Sequence, residues 1–98
     1  MVLLLLAVFG LNPAHAGTCY LNGVTTKVNS SDDKKHPIRR KFDADTAKEC
    51  QKELKKICRD IKDDWLDPDG LKARFVPTGA SDATATYTLS SACGVNED

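Results

Sequence analysis

The chain's 98 residues carry 14 Lys and Arg against 14 Asp and Glu, four cysteines and only 6% aromatic residues. This length supports one domain whose apolar core alone is marginal, so a covalent staple is expected. The scarcity of aromatic rings weighs against nucleic acid as a ligand, because single strands bind by stacking successive bases on ring faces.

Val2 to Leu11 is an almost uninterrupted apolar run, followed by Asn12-Pro13 and then Ala14-His15-Ala16, the small-x-small pattern cut by signal peptidase. Residues 1–16 are therefore expected to be a signal peptide, with Gly17 at the new N-terminus and export to the periplasm or the exterior. The run is shorter than the about 20 apolar residues that a bilayer span requires, so no stable membrane anchor is expected. A signal n-region is basic, yet no Lys or Arg precedes the run. Met1 is thus expected to be a downstream methionine or the start of a truncated chain.

Residues 17–98 should form a single disulfide-stabilised domain. Thr18 to Leu21 and Val24 to Val28 alternate in polarity around Asn22-Gly23, a pair favoured in two-residue hairpin turns, which would set Leu21 opposite Val24. The alternative is one fused strand with a bulge at Gly23. A polar loop from Asn29 to His36 follows, bearing the sequon Asn29-Ser30-Ser31, which is a glycosylation site in a eukaryotic host. Ile38 to Phe42 reads as the next strand, entered at Pro37.

From Asp45 to Trp65 the apolar residues Ala47, Cys50, Leu54, Ile57, Cys58, Ile61 and Trp65 recur at steps of three and four. That spacing specifies one amphipathic helix. Asp43 or Asp45 is expected to cap its start, and Glu49–Lys52 and Lys56–Asp60 pairs are expected on its solvated face. Trp65, last in the stripe, is expected in the core or at a hinge. Pro68 and Gly70 end the helix. Leu71 to Val76 and Ala83 to Cys93 then read as an antiparallel hairpin, with Cys93 on its packed side. The expected fold is α+β: an antiparallel or mixed sheet of four to five strands with one helix packed on one face.

Cys19, Cys50, Cys58 and Cys93 are separated by 31, 8 and 35 residues. These spacings lack the close pairs of a zinc site or of a redox Cys-x-x-Cys, and point to two structural disulfides. Eight helical residues put Cys50 and Cys58 about 12 Å apart along the axis, beyond the roughly 7 Å limit for a bridge. If the N-terminal strand lies antiparallel beside the strand before the helix, and the last strand beside the one after it, Cys19 falls beside Cys50 and Cys93 beside Cys58; a three-stranded N-terminal arrangement would instead move Cys19 to the other end.

The charge is unevenly distributed. Lys27 to Lys62 holds 12 Lys and Arg against 7 Asp and Glu, whereas Asp63 to Asp98 holds 2 against 7. The densest basic run is Lys34, Lys35, His36, Pro37, Ile38, Arg39, Arg40 and Lys41. Lys34, Lys35, Arg39, Arg40 and Lys41 are the candidate anion-binding residues, set against the simpler role of charges that blunt an edge strand. His36 is the one histidine outside the leader, with no singled-out acid or base to complete a hydrolase site. The acidic turn around Gly70 fails the calcium-loop pattern, since Trp65 and Val76 would occupy liganding positions 1 and 12. No catalytic residue, metal or cofactor is implied. The sequence indicates a small exported binding or interaction module whose partner is a protein or an anionic polymer or surface. The alternatives are a secreted effector acting on anionic surfaces through its basic run and, less favoured, a small hydrolase using His36.

Overall fold

The structure, a computed structural model, describes residues 16–28, 31 and 34–98. The expected leader, apart from Ala16, and the sequon residues Asn29 and Ser30 lie outside the described residues. The elements are β1 (Gly17–Thr25), β2 (His36–Ala44), α1 (Ala47–Asp63), β3 (Lys72–Pro77), β4 (Ala85–Leu89) and β5 (Val95–Glu97). The strands form one sheet in the order β2-β1-β3-β4-β5, every neighbouring pair antiparallel. This is the α+β fold expected, in its five-stranded form.

The central part of the sheet corrects one expectation. Asn22-Gly23 does not turn the chain; β1 runs straight through it, in unbroken register with β2 from Gly17 opposite Ala44 to Thr25 opposite His36. No bulge interrupts that ladder. Strand pairing on both sides of β1 outweighs a local preference for a two-residue turn, since Gly17 to Asn22 is paired with β3 as well. Gly23 has a different reason to be glycine: a Cβ there would stand 2.6 Å from Leu71 Cδ2.

Along β1, Cys19, Leu21 and Thr25 are buried while Thr18, Tyr20 and Asn22 are only partly so, as period-two alternation demands. Helix α1 lays Cys50, Leu54, Cys58 and Ile61 on the buried side of the sheet. There they meet Leu21, Leu71, Ala73, Phe75, Tyr87 and Leu89. Tyr87, 1% exposed, donates its hydroxyl to the Ala47 carbonyl at 3.4 Å. Burial, and then the Glu97 carboxylate paired opposite it, pushes the Tyr87 phenol above its usual value.

Both disulfides join as the spacing predicts. Cys19–Cys50 ties β1 to the start of α1 with Cα atoms 5.5 Å apart, and Cys58–Cys93 ties its second half to the turn after β4 at 5.6 Å. The two bridges close separations of 31 and 35 residues, each contributing on the order of 3 to 4 kcal/mol in the chain-entropy account.

The ends of α1 differ from the sequence expectation. Thr46, and neither Asp43 nor Asp45, caps the start, its Oγ1 accepting from Glu49 N at 3.1 Å. Thr46-Ala47-Lys48-Glu49 has the spacing of a capping box, which places a Ser or Thr three residues before a Glu. Lys56 pairs with Glu53 at 3.2 Å rather than with Asp60, both three- and four-residue spacings being within reach on a helix surface.

At the other end Trp65 is not in the core. It is 64% exposed and adopts a left-handed φ of 62°. Trp65 N donates to Lys62 O at 2.9 Å and Leu66 N to Ile61 O at 3.1 Å. These two bonds form a Schellman termination, with Trp65 in the left-handed position that glycine usually takes. The reversal carries Leu66 inward over Ile61 and swings the indole out, so the helical stripe stops one turn short of Trp65.

The last expected strand is also shorter. β4 ends at Leu89, the chain turns through Ser90 to Gly94, and β5 returns alongside β4. In the turn Cys93 N donates to Ser90 O and Ser90 N to Gly94 O, both at 3.0 Å, and Cys93 has a φ of 64°. Cys93 therefore reaches Cys58 from a turn rather than from a strand. Among the described residues, no helix is long and apolar enough to cross a membrane.

Candidate functional site

The same alternation that buries one face of the sheet composes the other. Its strand register assembles two rows of side chains across the open face. Lys41 is opposite Tyr20, Tyr20 opposite Arg74 and Arg74 opposite Thr86. One pleat away, Arg39 is opposite Asn22, Asn22 opposite Lys72, Lys72 opposite Thr88 and Thr88 opposite Asn96. Neighbouring strands lie about 4.8 Å apart and alternate residues about 7 Å apart. Arg39, Lys41, Lys72 and Arg74 therefore mark the corners of a rectangle of roughly 10 by 7 Å, with Tyr20 and Asn22 at the midpoints of its long sides.

All four cations are exposed. The Arg74 guanidinium carbon lies 4.4 Å from the Tyr20 ring centroid, a cation–π stack that orients the guanidinium over the middle of the face. Lys72 Nζ donates to Thr88 Oγ1 at 2.7 Å and lies 4.0 Å from Asp98 Oδ2, and Thr88 Oγ1 donates to Asp98 Oδ1 at 2.6 Å. A shallow cleft of about 260 Å³ opens between Asn22, Lys72, Arg74, Thr86 and Asp98. Such a surface can bind anionic groups by charge-assisted hydrogen bonds.

The five basic residues singled out from the sequence are divided by this arrangement. Arg39 and Lys41 lie on the open face. Arg40 is opposite Leu21, on the parity that faces the helix, and is exposed because β2 is an edge strand. Lys34 and Lys35 precede β2 and are exposed. Lys72, Arg74 and Tyr20 were not singled out, although Lys72-Ala73-Arg74-Phe75 alternates charged and apolar residues as a strand with one solvated face does. A count of charge along the chain hides them in the acidic half.

His36 opens β2 opposite Thr25. Among the described residues, its Nε2 is buried with no hydrogen-bond partner and His36 lines none of the main clefts. Asp67 Oδ1 accepts from Asp69 N at 3.0 Å, so this carboxylate closes the acidic turn on itself. Among the described residues, no three His, Cys, Asp or Glu side chains converge in a metal-binding group. The chain matches no family model, no curated protein and no solved structure.

Proposed function

We propose that the protein is an exported, non-catalytic binding module whose open sheet face takes an anionic polymer, best a sulfated or uronate polysaccharide. The observation that carries this reading is the cross-strand grouping of Arg39, Lys41, Lys72 and Arg74 around Tyr20. Any small domain needs a solvated face, but a face built for solubility alone has no reason to set four cations around one aromatic ring. Enclosed pockets suit small ligands, whereas a nearly flat grid of cations suits an extended chain whose charges repeat. Export rests on the apolar leader pattern and on the two disulfides, which persist in oxidising compartments such as the periplasm or the exterior.

The test is retention on an immobilised sulfated polysaccharide as salt is raised. Binding by exposed charges is screened, so affinity should fall steeply between low and physiological salt. The triple variant Arg39→Ser, Lys41→Ser, Arg74→Ser should lose about tenfold or more in affinity, while its thermal melt moves little because exposed charges contribute little to folding. Binding to anionic vesicles but not to the polysaccharide would assign the face to lipid headgroups. Retention that ignores both salt and the triple substitution would refute the reading.

A further inference from the structure

Trp65 is the chain's single tryptophan, and its surroundings differ from the sheet face in every respect. It stands in the left-handed position of a Schellman termination, where glycine is unstrained and a bulky side chain is an outlier. Core packing does not account for it, since the residue is 64% exposed. Backbone strain retained without a packing return marks a surface held for another purpose.

Further backbone hydrogen bonds fasten this turn to the rest of the fold. Besides the two bonds of the helix termination, Val28 N donates to Trp65 O at 2.7 Å and Asp67 N to Thr26 O at 3.1 Å, clamping the turn to the segment after β1. Beside the indole lies a cleft of about 490 Å³, lined by Val28, Leu66, Pro68 and Ala92 together with Lys62. Asp67 also lines it, and Asp63, Asp64 and Asp69 lie within four residues of Trp65 along the chain, so that residues 63–69 carry four carboxylates. The carbonyl end of α1 adds its own negative pole at the same place.

We propose that the Trp65 cleft docks a cationic segment of a partner protein, with an arginine or lysine laid across the indole and an apolar neighbour seated against Val28 and Leu66. The charge of the stretch from Lys62 to Asp69, one lysine against four aspartates, selects the occupant: a cation gains both the carboxylates and the indole face, whereas an acidic or neutral segment gains neither. This site is independent of the anion-binding face, which lies across the sheet from α1.

Trp65 emission itself reports occupancy, with a synthetic octapeptide of alternating arginine and leucine as probe. The expected result is a saturable blue shift with this peptide and none when glutamate or serine replaces arginine. Trp65→Gly should melt at or above the wild-type temperature, because glycine suits the backbone there, yet bind a fluorescein-labelled arginine–leucine peptide at least tenfold more weakly. Asp63→Asn with Asp64→Asn should weaken it several-fold, and the triple variant of the basic face should bind it like wild type. Equal binding of the glutamate or serine peptides, or undiminished binding by Trp65→Gly, would overturn the proposal. So would self-association in sedimentation without peptide that Trp65→Gly abolishes, since the cleft would then belong to a second copy.

Discussion

The basic sheet face and the Trp65 end are built by opposite means. The face is long-range: Arg39 and Lys41 come from β2, Tyr20 from β1, and Lys72 and Arg74 from β3, and only strand register makes them neighbours. The Trp65 end is local, made by a helix termination and the acidic turn that follows it. Each also departs from the rest of the chain in a different currency. The face concentrates charge at no evident cost to the fold, whereas the other end keeps a strained residue where glycine would serve. The two therefore respond differently to substitution.

The largest effects should come from the disulfides, which fasten the two regions separately. Cys19–Cys50 holds β1, the centre of the face, to the start of α1, and Cys58–Cys93 holds the half of α1 that leads to Trp65. Replacing either pair by alanine should lower stability by about 3 to 4 kcal/mol in urea melts. Hydrogen exchange should separate them. Loss of Cys58–Cys93 should speed exchange at Leu66 and Asp67 more than at Tyr20, and loss of Cys19–Cys50 should do the reverse. Equal loosening of both regions would mean that the sheet and the helix end open as one unit.

A smaller effect contrasts the two ends of α1. Thr46 satisfies the first turn by accepting from Glu49 N, so Thr46→Ala should cost about 1 kcal/mol, read as a drop in the urea midpoint. Trp65→Gly should leave that midpoint unchanged or raise it. One end of the same helix is close to its best sequence and the other is not. If both substitutions destabilise alike, Trp65 contributes packing that its exposure does not reveal, and the contrast fails.

The sequence exposed the parts governed by simple geometry. The pairing of Cys19 with Cys50 and of Cys58 with Cys93 followed from the rise of a helix and the return of antiparallel strands. The buried stripe Cys50, Leu54, Cys58 and Ile61 followed from periodicity. What stayed hidden was decided by competition between local and distant terms. Asn22-Gly23 has the form of a turn, but pairing on both sides of β1 keeps it extended. Trp65 continues the helical period past the residue at which the hydrogen bonds reverse the chain. β5 has three residues, too few to carry a pattern. Lys72 and Arg74 escaped because charge was summed along the chain, whereas a sheet sums it across strands.

The smallest effect tests whether the basic face is partly occupied by its own chain. Among the described residues, Asp98 is the one carboxylate that lines the cleft on that face. Its Oδ1 accepts from Thr88 Oγ1 and its Oδ2 lies 4.0 Å from Lys72 Nζ. An anionic ligand arriving at Lys72 must compete with this contact and with the repulsion of a like charge. Asp98→Asn removes the charge while leaving an oxygen that can still accept from Thr88. An exposed pair of this kind contributes roughly 0 to 1 kcal/mol, so the substitution should change stability by less than the error of a melt. Affinity for a sulfated polysaccharide should rise about two- to fivefold, the factor into which up to about 1 kcal/mol converts. The gain should vanish when Lys72→Ser is added, because Asp98 acts through Lys72. A loss of affinity in Asp98→Asn would instead make the carboxylate part of the contact, as an acceptor for ligand hydroxyl groups, and would move the ligand from a dense polyanion toward a sparsely charged sugar.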